Sequence, residues 1–89
     1  MIIPTSFETA SGSSPLVPCK ASGDPPPSIR WTKDKKHLPS NFMVFSNGSL
    51  SMKLVKKKNE GSYICTASND ADKVSTTITV NVYGMFELK

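Results

Sequence analysis

The chain has little of what catalytic or membrane-spanning proteins need. It carries one histidine, His37, and two cysteines among 89 residues. His37 lies in a lysine-rich turn with no carboxylate pair or second metal ligand beside it, so the residue sets for acid–base chemistry or metal binding are missing. The chain is therefore expected to be no enzyme and to need no cofactor or metal. No stretch approaches the roughly 20 apolar residues that span a bilayer, so direct membrane insertion is not expected. Met1-Ile2-Ile3-Pro4 lacks the charged and apolar regions of an export signal. Acidic residues are the minority, 7 Asp and Glu against 11 Lys and Arg, for a net charge of +4. The lysines are not interleaved with stacking aromatics, which argues against nucleic acid as a partner.

What is present is a spacing. Cys19 and Cys65 bracket the lone tryptophan, Trp31, and Cys65 closes the run Gly61-Ser62-Tyr63-Ile64-Cys65. In a short chain this reads as two β-sheets joined face to face by a disulfide, with the indole packed on the bridge and Tyr63 clamping one corner. A loop of roughly 46 residues closed this way stabilises by about 4 kcal/mol in the chain-entropy model, which is much for a domain this small. Paired cysteines persist in oxidising surroundings, so the chain is expected to be extracellular and excised from a longer protein. The alternative is two reduced, buried thiols in a cytosolic domain of the same fold; free-thiol titration separates the two.

Side chains on a strand change sides at each step, so parity counted from the cysteines sorts the rest. Strand B is expected over 15–21 with Val17, Cys19 and Ala21 inside, although Pro18 removes a donor there and predicts a bulge or a missing ladder bond. Gly23-Asp24-Pro25-Pro26-Pro27 is a stiff loop. Strand C follows over 28–33 with Ile29 and Trp31 inside. Strands D, 42–46, and E, 49–54, flank Asn47-Gly48, the pair favoured for a type I′ turn, with Phe42, Val44, Leu50, Met52 and Leu54 inside. Strand F spans 62–68. Strand G spans 74–82 with Thr76, Ile78, Val80 and Val82 inside, and Asp72 is expected to take a left-handed conformation in the turn before it. No helix is expected.

These residues carry a resemblance. Gly12, Cys19, Ala21, Gly23, Pro25, Trp31, Gly48, Leu50, Gly61, Tyr63, Cys65, Ala67 and Asn69 fall at the spacing of intermediate-set (I-set) immunoglobulin domains, the type strung in tandem in neural adhesion receptors. More narrowly, Leu16-Val17-Pro18-Cys19, Ser22-Gly23-Asp24-Pro25 and Ala67-Ser68-Asn69 through Lys73-Val74 look like domains of Dscam-type adhesion molecules. The resemblance implies an all-β, two-sheet Greek-key sandwich over 1–83, with 84–89 a linker or the start of another module. It further implies the ectodomain of a cell-membrane receptor, or a secreted protein, and a partner that is an identical copy on an opposing cell. Two departures stand out. Most members carry an aspartate four residues before the corner tyrosine and an arginine opening strand D; here Asn59 and Asn41 take those places, consistent with an amide pair replacing an ion pair.

Three surface features are candidates for function. On strand D both faces are apolar, so Met43 and Phe45 look outward from the sheet of strands A, B, E and D, beside Leu16, Pro18, Ser51 and Lys53. A contiguous apolar patch usually means contact, here read as a self-association face giving a weak homodimer. Lys33, Lys35 and Lys36 are expected to meet Lys56, Lys57 and Lys58 at one pole, opposite Asp24, Asp70 and Asp72. That basic pole is read alternatively as a heparan sulfate or protein-ligand site, or as a solvated end in a spacer domain. Asn47-Gly48-Ser49 is a glycosylation sequon on an exposed turn.

Overall fold

The computed structural model describes residues 6–34 and 36–84. Among the described residues seven strands form two sheets. Strands β1 (Ser6–Ala10), β7 (Lys73–Tyr83), β6 (Gly61–Ser68) and β3 (Ser28–Lys33) lie in that order in one sheet. Strands β2 (Leu16–Val17), β5 (Leu50–Met52) and β4 (Phe42–Val44) form the other. Among the described residues β1 and β7 run parallel, and the other strand pairs are antiparallel.

The core lies where the alternation of side chains puts it. Tyr63, Cys65 and Ala67 from β6, Ile78, Val80 and Val82 from β7, and Val17, Leu50 and Met52 from the facing sheet are buried. Cys19 and Cys65 are joined by a disulfide between the sheets. Trp31 is buried in the same cluster, with Ile29 packed partly against it. Its indole Nε1 donates to the carbonyl of Gly48 at 2.8 Å, which satisfies a donor that burial would otherwise strand.

Several expectations are corrected. Strand A is not in the sheet of B, E and D over the described residues: β1 pairs with β7, and Ser11 N continues the link to Tyr83 O at 2.8 Å. The chain then turns at Gly12, at φ +89, and Gly12 N and Ser13 O bond to the backbone of Val55. Strand B is cut to two residues and stops before Pro18, which has no N–H to offer the ladder. Strand D ends at Val44, which is exposed, so the third strand-D position does not reach the core. Strand E ends at Met52. Leu54 then takes φ +51 and turns outward, and Val55 fills the core in its place. Thr76 is half-buried. One turn of 3-10 helix, Lys57–Asn59, lies in the connection from β5 to β6, and the fold is all-β as expected.

The link between β4 and β5 is also different from a type I′ turn. Among the described residues Leu54 is the one non-glycine with positive φ, so neither Asn47 nor Asp72 is left-handed. Gly48 N donates to Phe45 O and Phe45 N to Ser49 O, both at 2.9 Å, with Gly48 at φ +91. This is a three-residue loop, Ser46-Asn47-Gly48, with the glycine carrying the bulge. The loop before β7 instead relies on Asn69, whose Oδ1 accepts from Ala71 N and Asp72 N. The Asn69 Nδ2 also donates to Pro25 O at 2.7 Å, tying this loop to the proline-rich one.

Gly48 is buried, and a Cβ there would lie 2.8 Å from the Cys19 carbonyl and 3.1 Å from Ile29 Cγ1. Both the backbone angle and the space demand glycine. We expect Gly48→Ala to cost about 2 kcal/mol or more. A urea titration should show a lower midpoint at unchanged slope; an unchanged midpoint would contradict this account.

Candidate functional site

The outer face of the three-stranded sheet is built around β5. Ser51 pairs with Leu16 of β2 on one side and Met43 of β4 on the other, so these three side chains form one row across the sheet. Leu16 is 53% exposed and Met43 62% exposed, while Ser51 between them is small and half-buried. Phe45 lies just past the end of β4, 41% exposed, with its N–H on Ser49 O. Pro18 and Lys53 are exposed just beyond the ends of β2 and β5. The face therefore presents two large apolar side chains flanking a low centre, plus an aromatic ring at one corner. Residues 1–5 lie outside the described residues.

The lysines gather at the end where β7 finishes. Lys33 at the close of β3 points its Nζ at the Lys58 carbonyl, 3.4 Å away, and lies 5.5 Å from the centre of the Tyr63 ring. Lys36, Lys56 and Lys58 are exposed; Lys35 lies outside the described residues. Lys57 is spent internally, with Nζ 3.0 Å from Glu60 Oε2 and 3.1 Å from the Val82 carbonyl. Glu60 was not singled out by sequence, although its place three residues after Lys57 is a usable signal. Its Oε2 also accepts the Val82 N–H at 2.8 Å. That backbone bond, then Lys57, holds its carboxyl below the ordinary carboxylate range. Among the described residues no group of three His, Cys, Asp or Glu side chains is placed to hold a metal ion.

Beneath this end sits a polar clamp. Tyr63 Oη donates to the carbonyl of Asn59 four residues upstream. The side chain of Asn59, itself buried, accepts from Lys56 N at 2.8 Å and from Asn41 Nδ2 at 3.3 Å; Asn41 Nδ2 also reaches Lys53 O at 2.9 Å. The two asparagines thus make a neutral pair and leave no buried charge unmatched.

This arrangement of bridge, indole and corner tyrosine is matched by the family model for the immunoglobulin I-set domain over residues 1–82. The chain belongs to the immunoglobulin I-set family. The I-set domain is 41% identical over 73 residues to human Protein turtle homolog A, covering 82% of this chain and 6% of that protein. It is 40% identical over 75 residues to Cell adhesion molecule DSCAM of Gallus gallus, covering 75% of this chain and 4% of that protein. Its backbone superposes on Drosophila OTK, extracellular domains 3-5, with a TM-score of 0.87 at 32% identity, over 92% of this chain and 28% of that one. The I-set domain therefore spans a small part of the length of the curated relatives it matches.

Burial pushes the Tyr63 phenol up from 10.0 to about 12. The folded domain thus holds this proton more tightly than the unfolded chain does. Its stabilising effect is whole below about pH 10 and is lost as pH rises to about 12. Urea midpoints should fall between about pH 9 and about pH 11.5. In Tyr63→Phe that slope should flatten; an equally steep fall in the variant would assign the alkaline loss to other groups.

Proposed function

We propose that the chain is an extracellular recognition module of a cell-adhesion receptor, binding an identical copy on an opposing cell through the outer face of β2, β5 and β4. The observation that carries this reading is the exposed row Leu16–Ser51–Met43. A two-fold axis along β5, lying in the contact plane, would set Leu16 of one copy on Met43 of the other. Ser51 then faces its own copy, and the two Leu16–Met43 pairs on either side of it carry the contact. Symmetric patches of this kind are the usual basis of homodimers. The disulfide fits an oxidising location, and relatives carrying the name of a cell adhesion molecule fit the receptor setting.

A second reading is a polyanion site at the lysine end, favoured by the convergence of Lys33 and Lys36 with Lys56 and Lys58. It is the weaker one, because Lys57 is neutralised by Glu60 and Lys33 is drawn over Tyr63. If it holds, wild-type protein leaves heparin at higher salt than a Lys36→Glu, Lys58→Glu double variant. Equal elution removes it.

The main reading is tested by sedimentation of the oxidised, unglycosylated chain over a concentration series. Leu16→Asp and Met43→Asp should each weaken self-association at least about tenfold, which is about 1.4 kcal/mol, with melting temperature retained. A wild-type chain that stays monomeric throughout, or variants that sediment as it does, would sink the proposal.

A further inference from the structure

The loop from β4 to β5 reads Phe45-Ser46-Asn47-Gly48-Ser49, of which the last three residues are an Asn-X-Ser acceptor. Its geometry adds two observations to that tripeptide. Asn47 is exposed, and its Oδ1 accepts the Ser49 N–H at 3.0 Å. With the carbonyl side of the amide held against the loop, Nδ2 is directed the other way. Then there is Phe45, two residues earlier. It is a large aromatic left 41% exposed, and it borders the same groove as Asn47, about 580 Å³ in volume, with Ile29 and Ala21 on the far wall. The loop backbone is pinned on both sides by the Phe45–Gly48 and Phe45–Ser49 hydrogen bonds.

We propose that Asn47 is N-glycosylated and that the ring of Phe45 seats the first sugar. In the modification, Nδ2 attacks the anomeric carbon of an oligosaccharide carried on a lipid pyrophosphate. The C–N bond forms as the anomeric C–O bond breaks. The lipid pyrophosphate leaves with the electron pair, and one Nδ2 proton passes to a base of the transferring enzyme. The attached N-acetylglucosamine has a ring face made of C–H groups, which carries slight positive charge and is attracted to the negative face of an aromatic ring. Because the loop already holds Phe45 and Asn47 on one groove, little ordering is left to oppose that contact.

The exposure of Phe45 is thereby accounted for by a covalently attached sugar, and the Leu16–Ser51–Met43 row remains for a protein partner. The inference rests on the extracellular reading above but does not require self-association.

The test is secretion of the 89-residue chain behind an export leader from mammalian cells, with intact mass measured before and after peptide-N-glycosidase. Wild type should carry an N-glycan mass that the enzyme removes, leaving aspartate in place of the modified asparagine. Ser49→Ala should carry none. Enzymatic removal should lower the melting temperature of wild type by roughly 4 °C or more and that of Phe45→Ser by much less; Phe45→Leu serves if the serine variant does not fold. Secreted wild type with Asn47 unmodified overturns the site. An equal temperature drop with and without the phenyl ring overturns the role of Phe45. Neither result bears on the sedimentation of the unglycosylated chain, so this inference and the self-association reading fail separately.

Discussion

Cys65 lies in β6 and Cys19 two residues past the end of β2, and their bond fixes both the separation of the layers and the parity counted away from each sulfur. From Cys65, alternation along β6 sends Tyr63 and Ala67 inward, and the pairing of β6 with β7 carries the same parity to Ile78 and Val80. From Cys19 the opposite layer follows, through Val17 to Leu50 and Met52. A one-residue slip in either layer would turn a whole strand of apolar groups into water, so the crosslink and the hydrophobic pattern reinforce one another. The outer face of the three-stranded sheet is the complement of that core: Leu16 is outside because Val17 is inside, and Met43 because Phe42 is.

Each end of the sandwich is then closed by a buried polar side chain on a backbone carbonyl. At one end Trp31 holds Gly48; at the other Tyr63 holds Asn59, while its ring stacks on Phe42 with centroids 5.4 Å apart. A buried donor with no acceptor costs roughly 1–3 kcal/mol, so each carbonyl is held in place as firmly as it holds its donor. The Asn41–Asn59 pair extends the second clamp without an ion pair. Burying one charge of such a pair without its partner would be strongly destabilising, and joint replacement of both avoids that state. The side-chain amides still bond two backbone groups, Lys53 O and Lys56 N, while the main-chain carbonyl of Asn59 accepts the Tyr63 hydroxyl.

Much of this was legible in the residues. Strand β3 runs over the expected 28–33, and the Cys–Trp–Tyr set sits where the spacing implied. The misjudged positions share a cause. Parity counts only while the chain stays extended, and strands β4 and β5 are three residues each. Beyond Met52, the left-handed backbone at Leu54 exchanges its place with Val55, and local composition gives no warning, since both are aliphatic. At Asn47-Gly48 the turn rule had the right residues but the wrong loop length, because the carbonyl of Gly48 is committed to a tryptophan 17 positions away. The change of sheet by strand A follows from pairing with β7 at the far end of the sequence, a non-local contact that no window of neighbouring residues contains.

The exposed apolar groups of the outer face differ in how firmly they are held. Leu16 and Met43 sit in paired strands, each in register with Ser51, so their Cβ positions are set by the same ladder that fixes Leu50 and Met52 on the reverse side. An interface built on them inherits the rigidity of the core. Phe45 comes after the last paired residue of β4, in a loop that also presents Asn47 to solvent. A protein partner docking there would need that loop to hold its shape under load, whereas a sugar tethered two residues away would be seated by the loop itself. The division of the face into a strand-borne row and a loop-borne ring is thus a consequence of where the short ladder of β4 ends, one residue before the phenyl group.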